Sequence, residues 1–186
     1  MDEKSDEILI EEYIKGDENS FRFIIDKYSN SIYNFSARFV GISDATDIVQ
    51  DVFVKVWTNI KKFDKSKSSF KTWLFRITRN TVIDFMRKKK MINFSSLDTE
   101  GENFEDTIED DSSLPIEIMS QLEDEKMLNA FIDELPDNYK EVLVLHYQED
   151  MTFAEIGELL NKPSNTVKSY HYRALITLRE KFSKNL

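Results

Sequence analysis

The chain has 186 residues, 40% of them apolar, with 4 Gly, 3 Pro, no Cys and a formal charge of −10. That length holds one medium domain or two small ones, and the scarcity of breakers excludes a disordered tail or an all-β sandwich in favour of an all-α protein. The lack of cysteine excludes disulfides, thiolate zinc sites and cysteine nucleophiles; with no signal peptide and no apolar run near roughly 18 residues, no membrane insertion is expected and the cytoplasm is the natural compartment.

The charge is unevenly spread. Residues 1–90 hold 17 basic and 14 acidic side chains, residues 91–125 hold 0 and 12, and residues 126–186 hold 8 and 9. Two small helical domains, 1–90 and 126–186, joined by an acidic flexible linker, 91–125, fit this division.

In the first domain the apolar spacing is helical, with breaks predicted at Gly16-Asp17, around Ser29-Asn30, at Gly41 and across 61–68. Ser43 is a candidate cap for a helix running to about Ile60, and Asp44 and Asp47 suit the positive end of its dipole. Asp47, Gln50 and Asp51 share one face of that helix. A last helix begins near Ser69, a fair cap, and continues to about Lys88. At about 100° per residue, Thr72, Arg76, Arg79, Asn80, Ile83 and Arg87 fall on one side, and Phe70, Leu74, Ile77, Thr81 and Phe85 on the other. One face packs and the other meets a polyanion, since 61–90 carries 11 basic and 2 acidic residues. Trp73 lies at the border, where an indole either packs on the core or stacks on an unpaired base. Beside it, Lys65, Ser66, Lys67 and Ser68 form a loop with the charge and hydroxyls to embrace an extruded base.

From 91 to 125 hydrophobic periodicity fades, so the segment buries too little apolar area to offset its ordering entropy. It reads as a solvated spacer or as an acidic element with a use of its own. Helices resume near Asp124 and break at Leu135-Pro136-Asp137. Thr152 and Glu155 have the capping-box spacing. Gly157 sits mid-helix at a cost of about 1 kcal/mol relative to Ala, offset by close approach of a second helix. Asn161 suits a left-handed end, Pro163 a stop and Ser164 a new cap, which together describe a helix-turn-helix. In its second helix Val167, His171, Ala174 and Leu178 follow a buried spacing, leaving Lys168, Ser169, Tyr172 and Arg173 opposite. Those four are candidate DNA readers, and Asn165 and Thr166 at the amide-rich start suit a phosphate. The competing reading is a helical hairpin with a charged solvent face. His171 reads as packed and hydrogen-bonded rather than as a ligand, because His146, the other histidine, has no ligand spacing around it; neither a metal site nor a cofactor is expected.

Asp47-Ile-Val-Gln-Asp-Val-Phe-Val-Lys-Val-Trp57 followed by Phe70-Lys-Thr-Trp-Leu-Phe-Arg-Ile-Thr-Arg-Asn80-Thr-Val-Ile-Asp84 resembles region 2 of the extracytoplasmic-function (ECF) sigma factors. Leu135-Pro-Asp-Asn-Tyr-Lys-Glu-Val-Leu143 and Thr166-Val-Lys-Ser169 resemble region 4. The resemblance implies a non-enzymatic subunit that binds core RNA polymerase and directs it to promoter DNA. It implies that Asp47, Gln50 and Asp51 touch the clamp coiled coil of the polymerase largest subunit. Asn80 and the loop of Lys65, Ser66, Lys67 and Ser68 would hold a flipped minus-ten base, with Trp73 assisting strand opening and Arg76, Arg79 and Arg87 on the strand. Asn165, Thr166, Lys168, Ser169, Tyr172 and Arg173 would read the minus-thirty-five element. An anti-sigma factor is a further implied partner, and the acidic linker would thread polymerase channels later filled by RNA. Tyr170 and His171 depart from the usual basic and aliphatic residues there. A stand-alone helix-turn-helix regulator is the alternative; it accounts for the C-terminal hairpin but not for the basic, aromatic helix of the first half. A hydrolase or nuclease has no ligand set, phosphate loop or nucleophile elbow to support it.

Overall fold

The computed structural model describes residues 4–93 and 125–185. They are helical with no strand among them, and their contacts divide into two units, Met1–Thr99 and Glu100–Leu186.

The first unit is built from α1 (Asp6–Ile14), α2 (Glu18–Val40), α3 (Ile42–Asn59), a 3-10 turn (Ile60–Lys62) and α4 (Phe70–Asn93). Asp17 starts α2 by accepting from the Asn19 amide at 3.1 Å. The predicted break at Ser29-Asn30 is absent, and α2 runs unbroken for 23 residues. Ser29 instead donates its hydroxyl to the Ile25 carbonyl at 2.6 Å, while Ile24, Tyr28, Ile32 and Phe35 are buried along one stripe. Burial of that stripe outweighs the turn preference of two polar side chains. Gly41 both ends α2 and caps α3, at φ 88° and ψ 162°. That conformation is essentially restricted to glycine. The helix therefore starts one residue ahead of Ser43, and Ser43 is not its cap.

The α3 stripe Ala45, Ile48, Val52, Val56 and the α4 residues Phe70, Leu74 and Phe75 complete the core. Phe75 meets Phe35 edge-on at 5.7 Å, a pair worth about 0.5–1.5 kcal/mol beyond burial itself. Ser69 caps α4 as expected, accepting from the Thr72 amide at 3.1 Å. Thr72, expected on the polyanion side, is fully buried and its hydroxyl is bonded to that of Ser69 at 2.8 Å. The helix extends to Asn93, past its expected end at Lys88.

The second unit comprises α5 (Glu125–Asp133), α6 (Asp137–Tyr147), α7 (Phe153–Leu160) and α8 (Ser164–Asn185). Its core joins Leu135, Leu143, Ala174 and Leu178, with Phe131 and Phe182 packed edge-on at 4.7 Å beside them. The Thr152–Glu155 capping box is present in both directions. Asn161 is left-handed at φ 54° and ψ 46°, so α7 stops there. Ser164 is the first helical residue and not the cap, because Thr166 and Val167 donate to the Pro163 carbonyl. The close approach at Gly157 comes from the turn backbone: a Cβ there would lie 2.8 Å from the Lys162 carbonyl oxygen. The linker expected over 91–125 lies outside the described residues except at its ends. Among the described residues, no helix is long and apolar enough to cross a membrane.

Candidate nucleic-acid interfaces

Asp47, Gln50 and Asp51 are all exposed on α3. Their face continues into two side chains that the sequence reading left without a role, Val54 and Trp57, each 59% exposed. Positions 47, 50, 51, 54 and 57 recur at helical spacing, so the periodicity that grouped the three polar residues also marks an apolar extension. Exposed apolar groups beside carboxylates have a character compatible with protein docking.

The loop between the 3-10 turn and α4 is organised by Asp64. Its carboxylate accepts from the Ser66 amide at 3.0 Å and the Ser66 hydroxyl at 2.7 Å, and lies 3.5 Å from Lys67 Nζ. These hydrogen bonds and the lysine hold the Asp64 carboxyl below the usual carboxylate range. Lys65 reaches Glu11 on α1 at 3.1 Å. Ser68 is half-buried.

Trp73 is half-buried, its ring 5.5 Å from Phe63 and 5.7 Å from Phe70. It also lines a recess of about 280 Å³. The other lining residues are Lys55, Asn59, Lys62, Ile77 and Asn80. Lys55 donates to Thr81 Oγ1 at 2.9 Å, and Lys62 to Asn59 Oδ1 at 3.0 Å. Two cations, two amides and an indole around one opening suit a nucleotide: amides for base edges, indole for a base face, ammonium groups for phosphate. Lys62 belongs to the basic stretch 61–68 read from sequence, whereas Lys55 and Asn59, on α3, were not singled out there. Arg76 and Arg79 are half-buried, whereas Asn80 and Arg87 are exposed, Arg87 with Asp84 at 3.1 Å.

In the second unit, Asn165 and Lys168 are exposed, and Thr166, Ser169, Tyr172 and Arg173 are half-buried. The Ser169 hydroxyl donates back to the Asn165 carbonyl at 3.0 Å, which reduces its reach toward a ligand. Lys162, in the turn, lies over the Tyr170 ring at 5.7 Å. His171 packs as expected, but beside His146, the ring centroids being 5.3 Å apart. His146 Nδ1 is 2.8 Å from the Met151 carbonyl oxygen, and Phe153 stacks on its ring at 4.5 Å. Burial, and then the charge of His146, lower the His171 pKa to about 4. Among the described residues no group of three or more acids or histidines is arranged to hold a metal.

Residues 24–91 match the family described as Sigma-70 region 2, and residues 125–178 that described as Sigma-70, region 4. The chain is 37% identical to the ECF RNA polymerase sigma factor SigW of Bacillus subtilis (strain 168), over 92% of this chain and 93% of that one. It is 30% identical to the ECF RNA polymerase sigma-E factor of Haemophilus influenzae (strain ATCC 51907 / DSM 11121 / KW20 / Rd), over 91% of each. Its fold is similar to that of the sigma factor RpoE solved in complex with the anti-sigma factor NepR from Bartonella quintana. There the TM-score is 0.66 and the identity 21%, covering 88% of this chain and 96% of that one. With two region matches in order and that identity over nearly its whole length, the chain belongs to the ECF group of the sigma-70 family of RNA polymerase sigma factors.

Proposed function

We propose that this sigma factor divides its work between its two units, acting in the cytoplasm by binding and not by catalysis. Residues 1–90 attach to core RNA polymerase and open the minus-ten element. Residues 126–186 hold minus-thirty-five duplex, and the acidic stretch 91–125 connects them. Asp47, Gln50 and Asp51, extended by Val54 and Trp57, meet the clamp coiled coil of the largest subunit. Asn80, Trp73 and the loop Lys65, Ser66, Lys67, Ser68 take a base turned out of the stack, while Arg76, Arg79 and Arg87 follow the strand. Flipping costs a few kcal/mol, so a pocket that returns this only to the right base couples selectivity to melting. Asn165, Thr166, Lys168, Ser169, Tyr172 and Arg173 contact the upstream element.

The observation that carries this reading is the recess walled by α3 and α4, lined by Trp73 and Asn80 together with Lys55, Asn59 and Lys62. A stand-alone helix-turn-helix regulator would leave that recess and the exposed α3 face without a role. An anti-sigma factor is the inhibitory partner, covering surfaces that polymerase uses. Run-off transcription with core polymerase and a promoter library tests the whole scheme. Promoter-selective initiation is expected, and core enzyme that neither binds the chain nor changes its start sites overturns it.

A further inference from the structure

Helix α1 precedes the residues that match region 2, which begin at Ile24. It carries Asp6, Glu7, Glu11 and Glu12, and no basic residue. Asp6 is engaged by α2, accepting from Tyr28 Oη at 2.5 Å and Lys27 Nζ at 3.0 Å. Glu12 accepts from Lys4 at 2.6 Å and from the Ser20 hydroxyl at 2.7 Å, at the start of α2. Glu11 reaches elsewhere: it accepts from Lys65 Nζ at 3.1 Å, across 54 residues, and so ties α1 to the loop before α4.

Within that loop Lys67 has a carboxylate of its own in Asp64, whereas the carboxylate beside Lys65 comes from α1. Lys65 and Glu11 are 67% and 55% exposed, so the pair sits in water and exchanges partners at little cost. A DNA phosphate is the ligand best suited to replace Glu11, since it offers the same anionic oxygen to an ammonium that binds as a point charge. Lys15, immediately after α1, also acts on the Glu11 carboxylate.

We infer that Glu11 is a positioning residue for the opened promoter strand, holding Lys65 toward α1 until a backbone phosphate displaces it. This rests on the reading that the loop binds the strand. Glu11 thereby weakens binding of a strand that places a phosphate there, because that phosphate must first displace it from Lys65.

The test uses the full chain and a fluorescein-labelled single-stranded minus-ten oligonucleotide, followed by anisotropy at low salt. Glu11→Gln is expected to tighten binding about two- to fivefold, a gain that added salt erases and that shrinks by at least half in a Lys65→Ala background. Glu7→Gln removes the same charge one turn earlier and controls for net charge. Equal gains from Glu7→Gln and Glu11→Gln, or equal effects of Glu11→Gln in both backgrounds while Lys65→Ala weakens binding, overturn the inference alone. Lys65→Ala with unchanged affinity overturns the loop reading and the inference with it.

Discussion

Tyr147 Oη and His171 Nε2 lie 3.0 Å apart, joining the end of α6 to the middle of α8 through a hydrogen bond that either imidazole tautomer can make. The same imidazole touches His146 and Phe153, so a protonated ring would place charge in an aromatic pocket beside a second imidazole.

Stability of the second unit should therefore depend on pH. The folded-state pKa of His171 is lowered to about 4 from an ordinary 6.5, so the unfolded chain binds the extra proton first. Stability is full above about pH 6.5, falls as pH drops toward 4, and levels off below. Discounted for the part of the ring that meets solvent, the loss by pH 5 is about 1 kcal/mol. Thermal melts at pH 7 and pH 5 should show it in the native chain and not in His171→Leu.

Substituting Gly157 by Ala sets two effects against each other. Helix propensity favours Ala by about 1 kcal/mol. The added methyl, however, would sit 2.8 Å from a backbone oxygen, which the turn cannot move without disturbing Asn161 and Pro163. A net loss of about 1–2 kcal/mol is expected, read as a lower denaturant midpoint. A stabilised variant would show that the turn yields.

Trp57→Ala should weaken attachment to core polymerase at least tenfold, because a large exposed aromatic beside carboxylates has the character of an interface anchor. The melting temperature should hardly change, since Trp57 is 59% exposed. Titration of labelled chain with core enzyme checks both Trp57→Ala and the milder Val54→Ala.

Asn80→Ala removes one of the two amides that line the recess and should relax minus-ten choice without abolishing initiation. A promoter library transcribed by the reconstituted enzyme would show a flatter preference at one minus-ten position. An unchanged preference would place base reading elsewhere.

Arg173→Ala should weaken minus-thirty-five duplex binding by about 1–3 kcal/mol, and Lys168→Ala should mainly reduce its salt dependence. Ser169→Ala is expected to matter less than either, because its hydroxyl is already turned back to the Asn165 carbonyl.

What could be read from sequence was local. Thr152, Glu155, Asn161 and Pro163 act on backbone within four residues, and their spacing alone described the helix-turn-helix. Misreadings arose where a distant element intervened. Ser29 and Asn30 look like a turn until the buried stripe of α2 holds them in helix, and Thr72 looks exposed until Ser69 and the core close over it. The recess was illegible as a unit because Lys55 and Asn59 lie on a different helix from Trp73 and Asn80. Single-helix periodicity cannot bring them together.

Val54 and Lys55 are adjacent in α3, yet one opens to the carboxylate-rimmed outer face and the other lines the recess, bonded to Thr81. Inserting one residue ahead of them would rotate each by about 100°, carrying Val54 to the place Lys55 holds at the recess and Lys55 to the buried place of Val56. Descendants of this chain can vary α3 by substitution, but a change of its length within the helix disturbs its outer face and the recess in a single event.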